Sequence, residues 1–236
     1  MPIIKLYSGK LYKIKVIERL NRFVVKVELE GKTVLCHNTN TGRLHEYLSP
    51  GMDGLAVSID GGRLRYRLIG IFDKYGYALI DTYSQVKVFE KLVDMDLIPW
   101  LNGYRILSRH PKILNSKLDY LLGSGDEELY VEVKSAVLRN GNAASYPDCP
   151  TERGQRHIKD IIELFRNGYN VMIIFIAALP RVECFTPYRE GDPIVYDLIY
   201  EARGLGIPIK SIALYLNSDG NVDVYNVDLP FCDSVG

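Results

Sequence analysis

Residues 170–178, NVMIIFIAA, run for nine positions without a charged side chain. Strand side chains alternate between two faces, so an unbroken apolar run of this length predicts a strand covered on both sides by helices. The flanking sequence supplies those layers. Ile158, Ile161, Ile162, Leu164 and Phe165 make an apolar stripe of helical period over residues 152–167, with Asp148 or Thr151 placed to cap it, and residues 193–205 read as a second helix. Strands expected at 117–122, 129–137, 209–216 and 222–227, with residues 179–192 as a loop, complete an α/β (α+β) layer built on a mixed sheet.

The first third has a different rhythm. Short β-branched and aromatic runs, LYKIKVIERL, FVVKVEL, TVLCHN, GLAVSI, RLRYRLIGIF and YALID, are separated by Gly-containing turns, and five or six short strands at this spacing predict a small closed barrel of the OB-fold type. Near Tyr83 the pattern turns helical, which puts the domain boundary between residues 1–82 and 83–236. Within GGRLRYRL, Arg63, Arg65 and Arg67 alternate with Leu64, Tyr66 and Leu68, the pattern of either a phosphate-tracking groove or a plain solvated strand face. The loop from Asn38 to Arg43 is dense in hydrogen-bonding groups, and Arg43 is suited to phosphate. A plain turn followed by a short helix over residues 44–48 is the competing reading.

Net charge is zero, with 29 Lys and Arg against 29 Asp and Glu, but it is unevenly spread. Residues 1–74 carry 13 basic and 7 acidic side chains, a balance of +6, so the remainder carries 16 against 22, a balance of −6. The basic third suggests a polyanionic partner, and part of the acidic excess is available for metal binding. Residues 97–118 hold no acid but carry Arg105, Arg109, His110, Lys112 and Lys117. No apolar stretch reaches the length of a membrane span and the start lacks a signal-peptide core, so the expectation is a cytoplasmic protein. Cys36, Cys149, Cys184 and Cys232 are scattered, signal neither a zinc site nor a disulfide framework, and read as small buried hydrophobes.

Chemistry gathers in LDYLLGSGDEELYVEVKSAV, residues 118–137. Glu132 and Lys134 share one strand face, and a turn through Gly123, Ser124, Gly125 and Asp126 brings Asp119 back beside them. Two carboxylates suit Mg2+ (or Mn2+), the carbonyl of Val133 is placed to be a further ligand, and Lys134 is suited to orienting a water or countering charge on a phosphate. Gln155 and His157 start the following helix near the same end. The competing reading is an acid at a strand end with an exposed Glu and Lys, although an interior strand would make that pair costly.

The phrases NTGRLHEYLSPG, DYLL, YVEVKSAVL and YPDCPTERGQRHIKDI, in this order along most of the chain, resemble the sugar fermentation stimulation protein A family. The resemblance implies an N-terminal OB-fold-like β-barrel, a PD-(D/E)xK nuclease-like mixed sheet with flanking helices, and DNA binding associated with sugar metabolism genes. It places Asp119, Glu132 and Lys134 on the nuclease motif and Glu152, Gln155 and His157 on the helix motif. Lys117 stands where an Arg is usual, and Lys91, with Glu90 beside it, stands where an acid is expected.

Three functional readings follow. One is a metal-dependent nuclease acting on DNA, using Asp119, Glu132 and Lys134 as catalytic groups, Asp119, Glu132 and Val133 as metal ligands, and Arg43, Arg63, Arg65, Arg67, Lys117, Gln155 and His157 as nucleic-acid contacts. Another is a DNA-binding regulator that keeps the nuclease fold without using it, and the third is a nucleotide or sugar-phosphate site at residues 38–43. No protein partner is expected, and homodimerisation is left open.

Overall fold

The computed structural model describes residues 2–114 and 116–232. After a short first strand, β1 (Ile3–Lys5), the chain builds a barrel from β2 (Leu11–Arg19), β3 (Val24–Leu29), β4 (Lys32–His37), β5 (Asp53–Ser58) and β6 (Tyr66–Asp73). β2, β3 and β4 form a meander, β5 returns antiparallel to β2, and β6 pairs with β5 before closing on β4 in parallel through Cys36 with Tyr66 and His37 with Arg67. This is the OB-like closed barrel anticipated from the strand spacing. Period-two alternation fills it: Val25, Val27 and Leu29 point inward while Lys26 and Glu28 point out. Gly54 lies where β5 and β6 approach so closely that a Cβ would stand 2.7 Å from the Gly70 carbonyl oxygen.

Two expectations for this domain are corrected. β6 begins at Tyr66, so Arg63 and Arg65 sit in the preceding bend and only Arg67 lies on the strand. The Gly61-Gly62 pair, both at positive φ, turns the chain just before this segment, and bends continue to Arg65 before the extended pairing begins. Residues 44–48 make a single turn, with the Leu48 N–H on the Leu44 carbonyl, and no helix.

A hairpin strand, β7 (Gly76–Ala78), leads into α1 (Thr82–Asp94) and the second domain. There β8 (Arg105–Arg109), the small β9 (Lys112–Ile113) and β10 (Ser116–Lys117) hairpin, β11 (Tyr120–Ser124) and β12 (Glu127–Ala136) are followed by β13 (Leu138–Asn140) and β14 (Ala143–Tyr146). Then come α2 (Glu152–Arg166), β15 (Val171–Ala177), β16 (Cys184–Pro187), α3 (Pro193–Gly204), β17 (Ile209–Leu216) and β18 (Asn221–Asn226). The sheet order is β8, β11, β12, β15, β17, β18, β1, with β12, β15 and β17 parallel and the outer strands antiparallel. All seven residues of β15 are buried, as its unbroken apolar run requires. β7 bonds to β17, so the two sheets are continuous. Among the described residues no helix is long and apolar enough to cross a membrane.

The segment at 179–192 holds β16, which pairs with β14 in a three-stranded sheet with β13 and so corrects the loop expected there. The cysteine reading is also corrected, because Cys184 and Cys232, 48 residues apart, form a disulfide with Cα atoms 4.9 Å apart. Spacing cannot reveal a pair that only β16 and the returning C-terminal segment bring together. Cys36 is fully buried, as expected.

Arg139 on β13 grips the Asp73 carboxylate at the end of β6, with Nε 2.9 Å and Nη2 2.6 Å from Oδ2, which ties the barrel to the second domain. Both side chains are nearly buried, so Arg139→Ala leaves a carboxylate without its cation, an expected loss of about 2 kcal/mol. Urea denaturation checks this, and a variant as stable as the parent would show that the latch contributes nothing.

Candidate metal and phosphate site

β11 and β12 are joined by a two-residue turn at Gly125-Asp126, with Gly125 at φ 59°. Ser124 therefore faces Glu127 and the register runs back to Tyr120 opposite Val131, which sets Asp119, one residue beyond the end of β11, against Glu132. The Asp119 Oδ2 takes the place of the missing strand and accepts the Val133 N–H at 2.9 Å. Tyr130 donates its N–H to the Asn170 carbonyl on the β15 side, so by alternation the N–H and C=O of Val133 face the β11 side. Beyond Tyr120 the Asp119 carboxylate takes up that N–H, and the Val133 carbonyl faces the same side.

Glu132 is 1% exposed, and its Oε1 receives both the Lys134 ammonium and the His157 ring. Lys134 Nζ and His157 Nδ1 are themselves 3.3 Å apart. Glu132 Oε2, also sealed from solvent, has no hydrogen-bond partner among the described residues. An orphaned buried carboxylate oxygen is expensive unless a cation or a bound molecule completes it. Burial and the charge of Glu132 hold the Asp119 carboxyl above its ordinary value, outweighing the Val133 N–H and the Lys134 charge. Burial also pushes Glu132 up, but Lys134 and His157 outweigh it and hold that carboxyl below its ordinary value.

His157 reaches this cluster from α2, whose first turn is fixed by Thr151 Oγ1 accepting the Gly154 N–H at 3.0 Å. Of the two caps the sequence allowed, Thr151 is used, while Asp148 accepts the Leu44 N–H at 2.6 Å from across the domain boundary. Arg153 Nε lies 3.4 Å from His157 Nε2. Gln155 donates to Asp192, whose carboxylate also takes the N–H groups of Thr151, Ile194 and Val195 and so joins the starts of α2 and α3.

The four residues at the core of the sequence reading, Asp119, Glu132, Val133 and Lys134, are therefore brought together. Gln155 borders the same cleft. His157 is buried against Glu132 instead of facing outward as a nucleic-acid contact would. Arg67 is drawn to the buried Asp81, 3.2 Å away. Arg43 is exposed and uses its carbonyl to accept from Arg19, and Lys117 is exposed on the β9–β10 hairpin. Glu90 accepts from Arg109 at 2.7 Å and from the Tyr120 hydroxyl at 3.0 Å, and Lys91 donates to the Lys5 carbonyl.

The loop read as a turn or a ligand site lies against the same cluster. Thr39, Asn40, Thr41 and Gly42 form one wall of a cleft of about 810 Å³ whose other wall holds Asp119, Glu132, Lys134, Ser145 and Gln155. Only the density of polar residues in NTNTG hinted at this. Ser145 carries no local sequence signal, whereas Asp192 stands directly before Pro193, the pattern of a helix start.

Two carboxylates and a backbone carbonyl form a hard oxygen donor set suited to an ion such as Mg2+, Mn2+ or Ca2+. The partnerless Glu132 Oε2 is the observation that fits such an ion here. Among the described residues no group of three His, Cys, Asp or Glu side chains gathers as a metal cage, so most of the coordination sphere would have to come from water or substrate.

A family model described as the sugar fermentation stimulation protein RE domain matches residues 84–220, and one described as the SfsA N-terminal OB domain matches residues 17–80. A sugar fermentation stimulation protein homolog of Pyrococcus furiosus is 45% identical over 213 residues, covering 90% of this chain and 92% of the relative. One of Archaeoglobus fulgidus is 43% identical over 216 residues, covering 91% and 93%. The solved structure of Pyrococcus furiosus SfsA in complex with Ca2+ superposes with a TM-score of 0.94 at 41% identity, covering 99% of this chain and 100% of that one.

Proposed function

This chain belongs to the sugar fermentation stimulation protein family, and from that premise we propose that it is a divalent-metal-dependent nuclease acting on DNA. Asp119, Glu132 and the Val133 carbonyl would hold Mg2+ or Mn2+. The observation that carries this reading is the buried, partnerless Glu132 Oε2 beside Asp119 at the wall of a cleft. The Ca2+ held by the Pyrococcus furiosus relative supports it, since Ca2+ shares the preference for hard oxygen ligands.

A divalent cation at this point would supply Lewis-acid polarisation of a phosphoryl oxygen. The protein's own groups do the rest. Asp119 is held in place by the Val133 N–H, and Glu132 by Lys134 and His157, so the two carboxylates need no reorganisation when substrate arrives. The Lys134 ammonium, fixed on Glu132, is placed to orient the attacking water and to offset charge that develops on the phosphate. Gln155, with its amide nitrogen committed to Asp192, presents its carbonyl end as an acceptor at the start of α2. Residues 1–82 would act as the nucleic-acid-binding barrel and residues 83–236 as the catalytic unit, with Arg63 and Arg65 exposed for backbone contact.

Plasmid and oligonucleotide DNA incubated with the purified protein in Mg2+ or Mn2+ should be nicked or shortened, and EDTA should stop the reaction. Lys134→Met should remove cleavage while Ca2+ still binds by calorimetry. DNA that binds but stays intact with every metal would leave the reading of a non-catalytic DNA-binding regulator instead.

A further inference from the structure

Taking the nuclease reading as given, we propose that the cleft admits an unpaired strand and excludes a duplex, with one nucleotide lodged between the barrel loop at Thr39–Gly42 and the wall carrying Ser145. The barrel loop stands directly over the catalytic strand: Asn40 Nδ2 lies 3.5 Å from the hydroxyl of Ser135, the residue after Lys134. It is also fastened on both sides of Thr41. Asn38 donates to the carbonyls of Arg22 and Asn40 at 3.0 and 2.6 Å, Thr39 donates to Asp81 at 2.7 Å, and the Leu44 N–H reaches Asp148. At Gly42 a Cβ would stand 2.8 and 2.9 Å from the two Asp148 carboxylate oxygens, so a side chain there would displace the carboxylate that holds the Leu44 N–H. The loop is thus a fixed wall across the site.

The space between the walls, about 810 Å³, is that of a pocket for one small-molecule ligand. A duplex presents two backbones around a groove about 12 Å wide and would meet the loop before a phosphate reached Glu132. An unpaired strand can pass, with its base turned out and its edge free for hydrogen bonding. The walls carry polar groups with unused capacity for that edge. Ser145 is 1% exposed and its Oγ has no partner among the described residues, although it borders the cleft. At 3.5 Å the contact of Asn40 Nδ2 with Ser135 is at the outer limit of a hydrogen bond, so that amide is available to a ligand. Arg22, exposed at the mouth, supplies a cation for the backbone.

Fluorescently labelled DNA of one sequence, offered as a single strand and as a blunt duplex in Ca2+, tests this by anisotropy. The single strand should bind at least about tenfold tighter. Ser145→Ala, and Asn40→Asp, which keeps the acceptor for the Gly42 N–H but removes the free amide, should each weaken single-strand binding about fivefold, with Ca2+ affinity after Ser145→Ala and the melting temperature of both variants held near the parent's. Equal or tighter duplex binding, or two folded variants with unchanged single-strand affinity, would overturn the proposal. Cleavage of duplex and single strand alike in Mg2+ would sink this inference and spare the nuclease reading. Strand-selective binding without cleavage would do the reverse.

Discussion

Replacing Glu132 with alanine is expected to lower DNA cleavage by about 10³-fold or more, because both the proposed ion and the charge that positions Lys134 depend on this one carboxylate. The same change should cost about 3 kcal/mol of stability, since it strips a partner from Lys134, itself 9% exposed, and leaves a buried ammonium beside His157. Those two effects separate in Glu132→Gln. The amide oxygen still accepts from Lys134 and His157, so most of the stability should return, while the loss of charge keeps Ca2+ affinity and cleavage low. Calorimetry with Ca2+, thermal denaturation and a cleavage assay on both variants decide the matter. A Gln variant that binds Ca2+ like the parent would remove Glu132 from the ligand set and end the mechanism as drawn.

The strand logic of this site was legible because it depends on local rules. Period-two alternation put Glu132 and Lys134 on one face, and a short Gly-rich turn sufficed to bring Asp119 opposite Glu132. The barrel and the buried strand β15 were legible for the same reason, since each states its burial in its own residues. What the sequence could not express is partnership across distance. His157 was placed near the cluster as a nucleic-acid contact, yet its position on α2 turns it into the Glu132 pocket. Arg63 and Arg65 obeyed a strand alternation, but they lie in the bend that follows two glycines at positive φ. Arg67 did lie on the strand, but Asp81 claims it. The reach of the barrel loop was hidden because its bonds to Asp81 and Asp148 join residues 42 and 104 apart in sequence. The candidate site sits where the two domains meet, which is where a one-dimensional reading is weakest.

Asp192 presents the second large effect, and it lies outside every motif. It is 2% exposed, and its carboxylate collects the N–H groups of Thr151, Ile194 and Val195 together with the Gln155 amide. One side chain thereby caps α3 and fixes the start of α2, the helix that carries Gln155 and His157. Asp192→Ala leaves three backbone donors without their acceptor and should cost about 3 kcal/mol, with Asp192→Asn intermediate because one oxygen remains. Burial raises this carboxyl, but the N–H donors and Gln155 outweigh it and hold it below its ordinary value. A group whose folded pKa is depressed stabilises fully above its unfolded value, about pH 4, and that contribution disappears as pH falls through the folded value. Urea denaturation at pH 7 and in steps below pH 4 should therefore show the parent losing its advantage over Asp192→Asn only in acid. Catalysis should fall with Asp192→Ala as well, through misplacement of Gln155 and His157, and therefore in kcat more than in KM. An Asp192→Ala protein within about 0.5 kcal/mol of the parent would mean that water replaces the carboxylate at both helix starts and that α2 is held by its apolar face alone.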